Sequence, residues 1–82
     1  MNFNNMHNVR QYKIELTADA PNIDIVALKN FGVWMNPYDK FYVLTLTDAE
    51  SPYTHSQLFI QDFFKKTGLK QNQVTIQIVF TK

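Results

Sequence analysis

Residues 54–68 read THSQLFIQDFFKKTG, and this stretch decides the type of fold that the remaining sequence can complete. Its large apolar residues are Phe59, Ile60, Phe63 and Phe64. They recur at the spacing that places side chains on one face of an α-helix. Thr54 and Gln57 have the spacing of a capping box, and Gly68 is a typical helix terminator. We therefore predict a helix over residues 55–67 that packs on another layer.

Other stretches alternate apolar and polar residues, which is the pattern of half-buried β-strands. Residues 11–17 (QYKIELT) and 74–80 (VTIQIVF) alternate most clearly. Between them, residues 33–35 and 40–47 flank the tetrad at 36–39, Asn-Pro-Tyr-Asp, whose composition is typical of a tight turn. These features predict a central hairpin between two further strands.

The segment between the first strand and this hairpin supports two interpretations. Asp19 suits the start of a helix and Gly32 suits its end, so residues 23–31 are predicted to form a short helix. Ile25 and Val26 are β-branched, however, and residues of this kind also suit a strand. The choice between helix and strand decides the architecture.

With two helices, the chain is predicted to form an α+β fold, a βαββαβ ferredoxin-like two-layer sandwich. A short internal echo favours this arrangement, since LTADAP at 16–21 resembles LTDAESP at 46–52. If residues 23–31 form a strand instead, the alternative is an antiparallel meander with a single helix at 55–67. In this arrangement the first and third strands are predicted to be adjacent and parallel.

The composition suggests one soluble domain. The chain has 82 residues, no cysteine and a net charge near +1, and 82 residues suit a single domain. Residues 1–8 are polar and predict a flexible N-terminal tail before an α+β domain at 9–82. No stretch reaches about 18 apolar residues, and the lack of cysteine favours a reducing compartment. We therefore expect a cytoplasmic protein that does not span a membrane.

We predict no enzymatic activity, no cofactor and no metal site, because the sequence carries no catalytic or metal-ligand motif of useful specificity. In the parallel arrangement described above, several acidic side chains and a histidine would gather at one end of the sheet. These are Asp19, Asp24, Asp48, Glu50 and His55. Acidic residues are favoured near helix N-termini, so capping explains this group better than a bound cation does.

Partner contacts are predicted on the sheet and on one helix position. Trp34 lies on a short arm that could be an edge strand, and edge strands recruit other strands or a second copy of the chain. Tyr38 and Phe41 are candidates on the hairpin and on the uncovered sheet face. Leu58 falls opposite the phenylalanine stripe of the predicted helix. These four residues form the predicted partner-binding set.

The chain has twelve aromatic residues (seven Phe, four Tyr and one Trp), more than two helices can cover. We therefore predict a non-catalytic protein-interaction module that docks a sheet edge or the open sheet face on a partner protein. Small proteins of this type are often inhibitors or adaptors, including phage and mobile-element accessory proteins. The alternative is a nucleic-acid-binding domain that uses Lys65, Lys66 and Lys70 together with sheet aromatics. The near-neutral charge and the single arginine make that alternative the less favoured one.

Overall fold

A four-stranded antiparallel sheet is the framework of the protein, as seen in a computed structural model that describes residues 9–80. The strands are β1 (Val9–Leu16), β2 (Val33–Tyr38), β3 (Phe41–Thr45) and β4 (Val74–Phe80). They lie in the order β2-β3-β1-β4, so the edges of the sheet are β2 and β4. The predicted tail at residues 1–8 lies outside the described residues.

The helix α1 (Ser56–Thr67) covers one face of this sheet. Phe59 and Phe63 are fully buried on its apolar side, and the ring of Tyr12 from β1 stacks on Phe59 with centroids 3.9 Å apart. Gly68 ends the helix in the left-handed conformation, with φ of 72°. The predicted helix and its phenylalanine stripe are therefore confirmed. Within residues 9–80, no helix is long and apolar enough to cross a membrane.

The helix does not start as predicted. His55 is its N-cap residue and makes no side-chain capping bond. The Thr54 hydroxyl is buried and donates instead to the carbonyl oxygen of Ser51, at 2.8 Å. Thr54 belongs to a short 3-10 helix, Pro52–Thr54, and therefore does not cap α1. The predicted capping box is therefore wrong.

The predicted helix over residues 23–31 is also wrong. This segment forms turns followed by one 3-10 helix, Lys29–Phe31. The Asp24 carboxylate accepts a hydrogen bond from the backbone N–H of Ala27 at 3.2 Å, and the N–H of Ile23 donates to the Tyr42 hydroxyl at 3.2 Å. These bonds give the backbone alternatives to α-helical pairing, and the β-branched residues of the segment add to the preference.

The small α+β class is confirmed, whereas the ferredoxin-like βαββαβ arrangement is not. Only one α-helix forms among residues 9–80, and the first crossover contains only turns and the 3-10 helix. β1 and β3 are adjacent, as expected, but they run antiparallel rather than parallel. The alternative is right in having an antiparallel sheet and a single α-helix among residues 9–80, but its meander order is not formed, because β1 pairs with β3 and β4 rather than with β2.

The hairpin turn lies further along the chain than predicted. Tyr38 pairs with Phe41, so the turn residues are Asp39 and Lys40, and Lys40 has a positive φ of 64°. Asn36 stays within β2, where its side-chain amide donates to the carbonyl oxygens of Tyr38 and Phe41, both at 2.7 Å. The register of β2 against β3 shifts between Met35 and Tyr38 to accommodate this arrangement.

Candidate interaction surface

The face of the sheet opposite α1 carries a group of apolar side chains at one side. We call these five residues the apolar patch: Val33, Met35, Tyr38, Phe41 and Val43. Cross-strand pairing places Met35 beside Val43 and Tyr38 beside Phe41. Val33 is 52% exposed, Met35 55% and Tyr38 72%. The patch therefore covers the β2 and β3 half of the open face.

The other half of this face is mostly polar, with Val79 of β4 as its apolar residue. Lys13 and Glu15 of β1 lie beside Val43 and Phe41 of β3 respectively. β4 then adds Thr75 and Gln77, which lie opposite Glu15 and Lys13. The boundary between the apolar half and the polar half of the open face therefore runs parallel to the strands. An apolar area with a charged and polar border is typical of protein interaction sites.

Trp34 lies on the other side of the sheet from this patch. Its indole N–H donates to the carbonyl oxygen of Leu28 at 2.8 Å, and its ring meets the edge of Phe31 with centroids 6.5 Å apart. It pairs with the buried Leu44 and is itself half-buried against the core. The Trp34 side chain therefore holds the segment between β1 and β2 against the sheet. A role of Trp34 in partner binding stays a prediction.

Val33 and Met35, the neighbours of Trp34, were not in the predicted partner-binding set. Side chains alternate between the faces of a strand, so the two faces of this short arm are distinguished only by register. The position of Trp34 on the core side turns Val33 and Met35 outward. The sequence signal was the alternation around Trp34, but three residues are too few to decide its direction.

The predicted lysine cluster and the sheet aromatics are not brought together. Lys65, Lys66 and Lys70 are exposed, and they lie on the helix and just after it. Tyr38 and Phe41 belong to the opposite face of the sheet. One nucleic-acid strand could not stack on these aromatics while its phosphates contact the lysines. Leu58, 37% exposed, likewise lies on the helix layer and away from the apolar patch.

The acidic residues and His55 do not gather at one end. Because β1 and β3 are antiparallel, the chain leaves them at opposite ends of the sheet. The Thr17 hydroxyl donates to Asp19 and holds the pKa of that carboxyl below its usual value. Asp48 accepts from the backbone N–H of Glu50 at 2.9 Å. Within residues 9–80, no three possible metal ligands cluster, so these acids stabilise individual loops.

A chain of hydrogen bonds connects the sheet, the loop before α1 and α1 itself. The Tyr12 hydroxyl donates to the carbonyl oxygen of Tyr53 at 2.6 Å, and the Tyr53 hydroxyl donates to Asp62 at 2.8 Å. Burial raises the pKa of Tyr12, and the bond to Asp62 raises the pKa of Tyr53. Both phenols therefore stay protonated and act as fixed donors.

Two small cavities open elsewhere on the surface. One, of about 190 Å³, lies between residues 21–28 and the end of α1, and Lys66 is part of its lining. The other, of about 380 Å³, lies between Gly32 and the loop that contains Asp48 and Tyr53. Pockets for small molecules usually enclose roughly 300–1,000 Å³, so the first is small for a ligand and the second is near the lower limit.

The apolar patch thus brings together three of the six large hydrophobic side chains that are exposed among residues 9–80, namely Val33, Met35 and Tyr38. Comparison with known proteins gives no further indication of function. No protein-family model, no curated protein and no solved structure matches this chain.

Proposed function

We propose that this protein is a non-catalytic interaction module that docks its apolar patch on a partner protein. The observation that carries the proposal is the juxtaposition of Val33, Met35 and Tyr38, each more than half exposed, on one face of an edge strand. Exposed apolar residues are common singly, but contiguous groups on a sheet face mark interaction sites.

The chemistry of the patch suits a protein partner. Tyrosine and methionine are enriched in the buried centres of protein interfaces. The Tyr38 ring rests against Phe41, with centroids 5.9 Å apart, so it is positioned before binding. Met35 has a flexible thioether side chain that adapts to irregular surfaces. Lys13 and Glu15 border the patch with one charge of each sign, which would orient the partner.

Docking by strand addition at β2, the edge near Trp34, is less favourable than docking by the patch. Pro37 has no backbone N–H, and the register shift between Met35 and Tyr38 interrupts the strand. Proline and bulges are features that protect an edge from pairing. The side chains of the patch, rather than the β2 backbone, are therefore the proposed contact. A small module of this kind would act as an inhibitor or an adaptor.

The test is capture from an extract of the source cells, with a photo-crosslinking amino acid at position 35 and, as a control, at position 61. Gln61 is exposed on α1, in the opposite layer. The proposal predicts that one protein is crosslinked from position 35 but not from position 61. Met35→Lys should weaken its capture at least about tenfold, because the loss of a hot-spot residue costs about 2 kcal/mol or more. Gln61→Lys adds the same charge and should leave capture unchanged.

Two results would contradict this proposal. Equal crosslinking from both positions would indicate non-specific contact rather than a docking face. Capture that disappears after nuclease treatment, and that is lost in the triple variant Lys65→Gln, Lys66→Gln and Lys70→Gln, would establish the nucleic-acid alternative instead, since phosphate contacts depend on lysine charge.

A further inference from the structure

We propose that β4 is a second interaction site, and that its partner is the β4 strand of another copy of this chain. The two strands would pair antiparallel about a two-fold axis at Gln77 and join both sheets into one. The proposal does not depend on the function of the apolar patch, which lies on β2 and β3 toward the opposite edge of the sheet.

Among residues 9–80, no strand lies beside the outer edge of β4, so its backbone offers hydrogen-bonding groups there. The N–H of Thr17 donates to the carbonyl oxygen of Gln73 at 2.9 Å, and this pair continues the register of β1 with β4. Bonded and non-bonded pairs alternate along an antiparallel ladder. Gln77 therefore directs its backbone groups to β1, whereas Ile76 and Ile78 direct theirs outward, where a further strand could pair with them.

Among residues 9–80, β4 has few of the features that normally protect an edge, and the one register shift in its pairing with β1 lies at its end, beside Val79 and Phe80. Its sequence, VTIQIVF, contains no charge, no proline and no glycine. Uncharged segments of about seven residues with high β-propensity pair readily with identical segments. The contrast with β2 is direct, because Pro37 and a register shift interrupt that edge. The two edges of this sheet are therefore not equivalent.

The strand is complementary to itself in the proposed register. With Gln77 opposite Gln77 of the second copy, Ile76 lies opposite Ile78, and Val74 opposite Phe80. Every pair joins side chains of the same face, so the apolar faces of both strands stay continuous. The absence of charge removes the like-charge repulsion that identical strands otherwise suffer.

The side chains of β4 that face the helix layer are incompletely covered. Ile76 and Ile78 are only partly buried, and Phe80 is 48% exposed. On β1, the corresponding residues Tyr12 and Ile14 are fully buried. The second copy would extend this apolar layer across the two-fold axis and remove more of β4 from water.

The assembly would end at two copies. After β4 pairs with its counterpart, the remaining edges of the joined sheet are both β2, and both are interrupted at Pro37. A two-fold contact uses the same surface on each copy and closes on itself. The expected species is therefore a dimer rather than a filament.

The first test uses single cysteines, which is straightforward because the chain contains none. Directly opposed residues of a non-hydrogen-bonded pair have Cα atoms about 4.5 Å apart, within the range for a disulfide. Gln77→Cys should therefore form a disulfide-linked dimer under mild oxidation. Thr75→Cys is the control, since its two copies would lie about 13 Å apart, four residues along the strand. Crosslinking of both variants to the same extent would overturn the proposed register.

The second test measures the association itself by sedimentation equilibrium. Gln77→Glu and Gln77→Lys should each weaken the dimer about fivefold or more, because like charges face each other at the axis. An equimolar mixture of the two should restore the dimer. Gln77 is exposed, so the fold should persist in both variants. A wild-type chain that stays monomeric up to about 1 mM would overturn the proposal. So would a dimer that is lost in Met35→Lys but unaffected at position 77, which would assign self-association to the apolar patch.

Discussion

The hydroxyl of Tyr12 donates a hydrogen bond to the carbonyl oxygen of Tyr53, at 2.6 Å, across 41 residues of sequence. Tyr12 lies on the central strand β1, and Tyr53 lies in the short 3-10 helix before α1. The Tyr12 ring also stacks on Phe59 of the helix. One side chain thus connects the sheet, the approach to the helix and the helix itself, so the layers depend on it for their alignment.

We expect Tyr12→Phe to lower the free energy of unfolding by about 1–3 kcal/mol. The stacked ring is kept, but the partly buried hydrogen bond to the carbonyl oxygen of Tyr53 is lost, and an acceptor left without its partner away from water costs about that much. Urea denaturation followed by circular dichroism measures the change. Tyr38→Phe is the matched control, because Tyr38 is 72% exposed and should change stability by less than about 0.5 kcal/mol. Equal effects would contradict this role of Tyr12.

We expect stability to fall in alkaline solution as the pH rises through about 10. Burial raises the pKa of Tyr12 and the bond to Asp62 raises that of Tyr53, whereas both phenols in the unfolded chain titrate near 10. Above that pH the unfolded state binds fewer protons than the folded state, so unfolding becomes more favourable. The stabilisation is fully present below pH 10.

Urea midpoints measured from pH 7 to pH 11 would show this loss. The slope of the urea midpoint against pH should be shallower in Tyr12→Phe, because the variant lacks one of the two phenols whose proton the fold retains. An unchanged slope in Tyr12→Phe would mean that this hydroxyl is not protected from ionisation by the fold.

Gly32→Ala should be among the most damaging small substitutions in the chain. Gly32 has a φ of 153°, and a Cβ there would lie 2.6 Å from the backbone carbonyl oxygen of Thr45. Strained dihedrals and overpacking each cost about 1–3 kcal/mol, so a loss of about 3 kcal/mol is expected. Gly68→Ala is the control: it shares the positive φ, at 72°, but has open space around its Cβ. It should cost about 1 kcal/mol. Thermal unfolding of both variants measures the difference.

Trp34→Phe should destabilise the fold by about 1 kcal/mol even where no partner is present. The substitution removes the indole N–H that bonds the carbonyl oxygen of Leu28, while an aromatic ring beside Phe31 is retained. Chemical denaturation followed by far-ultraviolet circular dichroism reports this change without relying on tryptophan emission. Met35→Leu is a suitable comparison, since Met35 faces solvent and its substitution should be nearly neutral. Full stability in Trp34→Phe would show that the indole bond contributes little.

Local patterns were sufficient for the elements that carry strong periodicity. Phe59 and Phe63 recur every four residues and Gly68 follows them, so α1 and its buried face could be predicted from spacing alone. The alternation in residues 11–17 and 74–80 likewise predicted β1 and β4. In a helix with one apolar side, or a strand with one apolar face, the spacing of the apolar residues in the sequence indicates which side is buried.

Only part of the apolar patch could be predicted from local sequence patterns. Tyr38 and Phe41 were predicted as partner contacts and lie on the open face, whereas Val33 and Met35 were not in that set and Trp34, which was, lies on the core side of the sheet. A shift of one residue exchanges the two faces of a strand. The β2 arm was too short for its own pattern to specify which face is buried, and pairing with β3 decided it.

The sequence by itself determined which segments are amphipathic, and therefore that a helix near residues 55–67 and several strands share a core. Only the tertiary structure decided the form of residues 23–31 and the side of the sheet on which Trp34 lies. The reason is that both depend on partners distant from them in sequence or in the fold. Ile23 donates its N–H to Tyr42 on β3, and the face that Trp34 occupies is set by its pairing with Leu44. No local pattern contains those contacts.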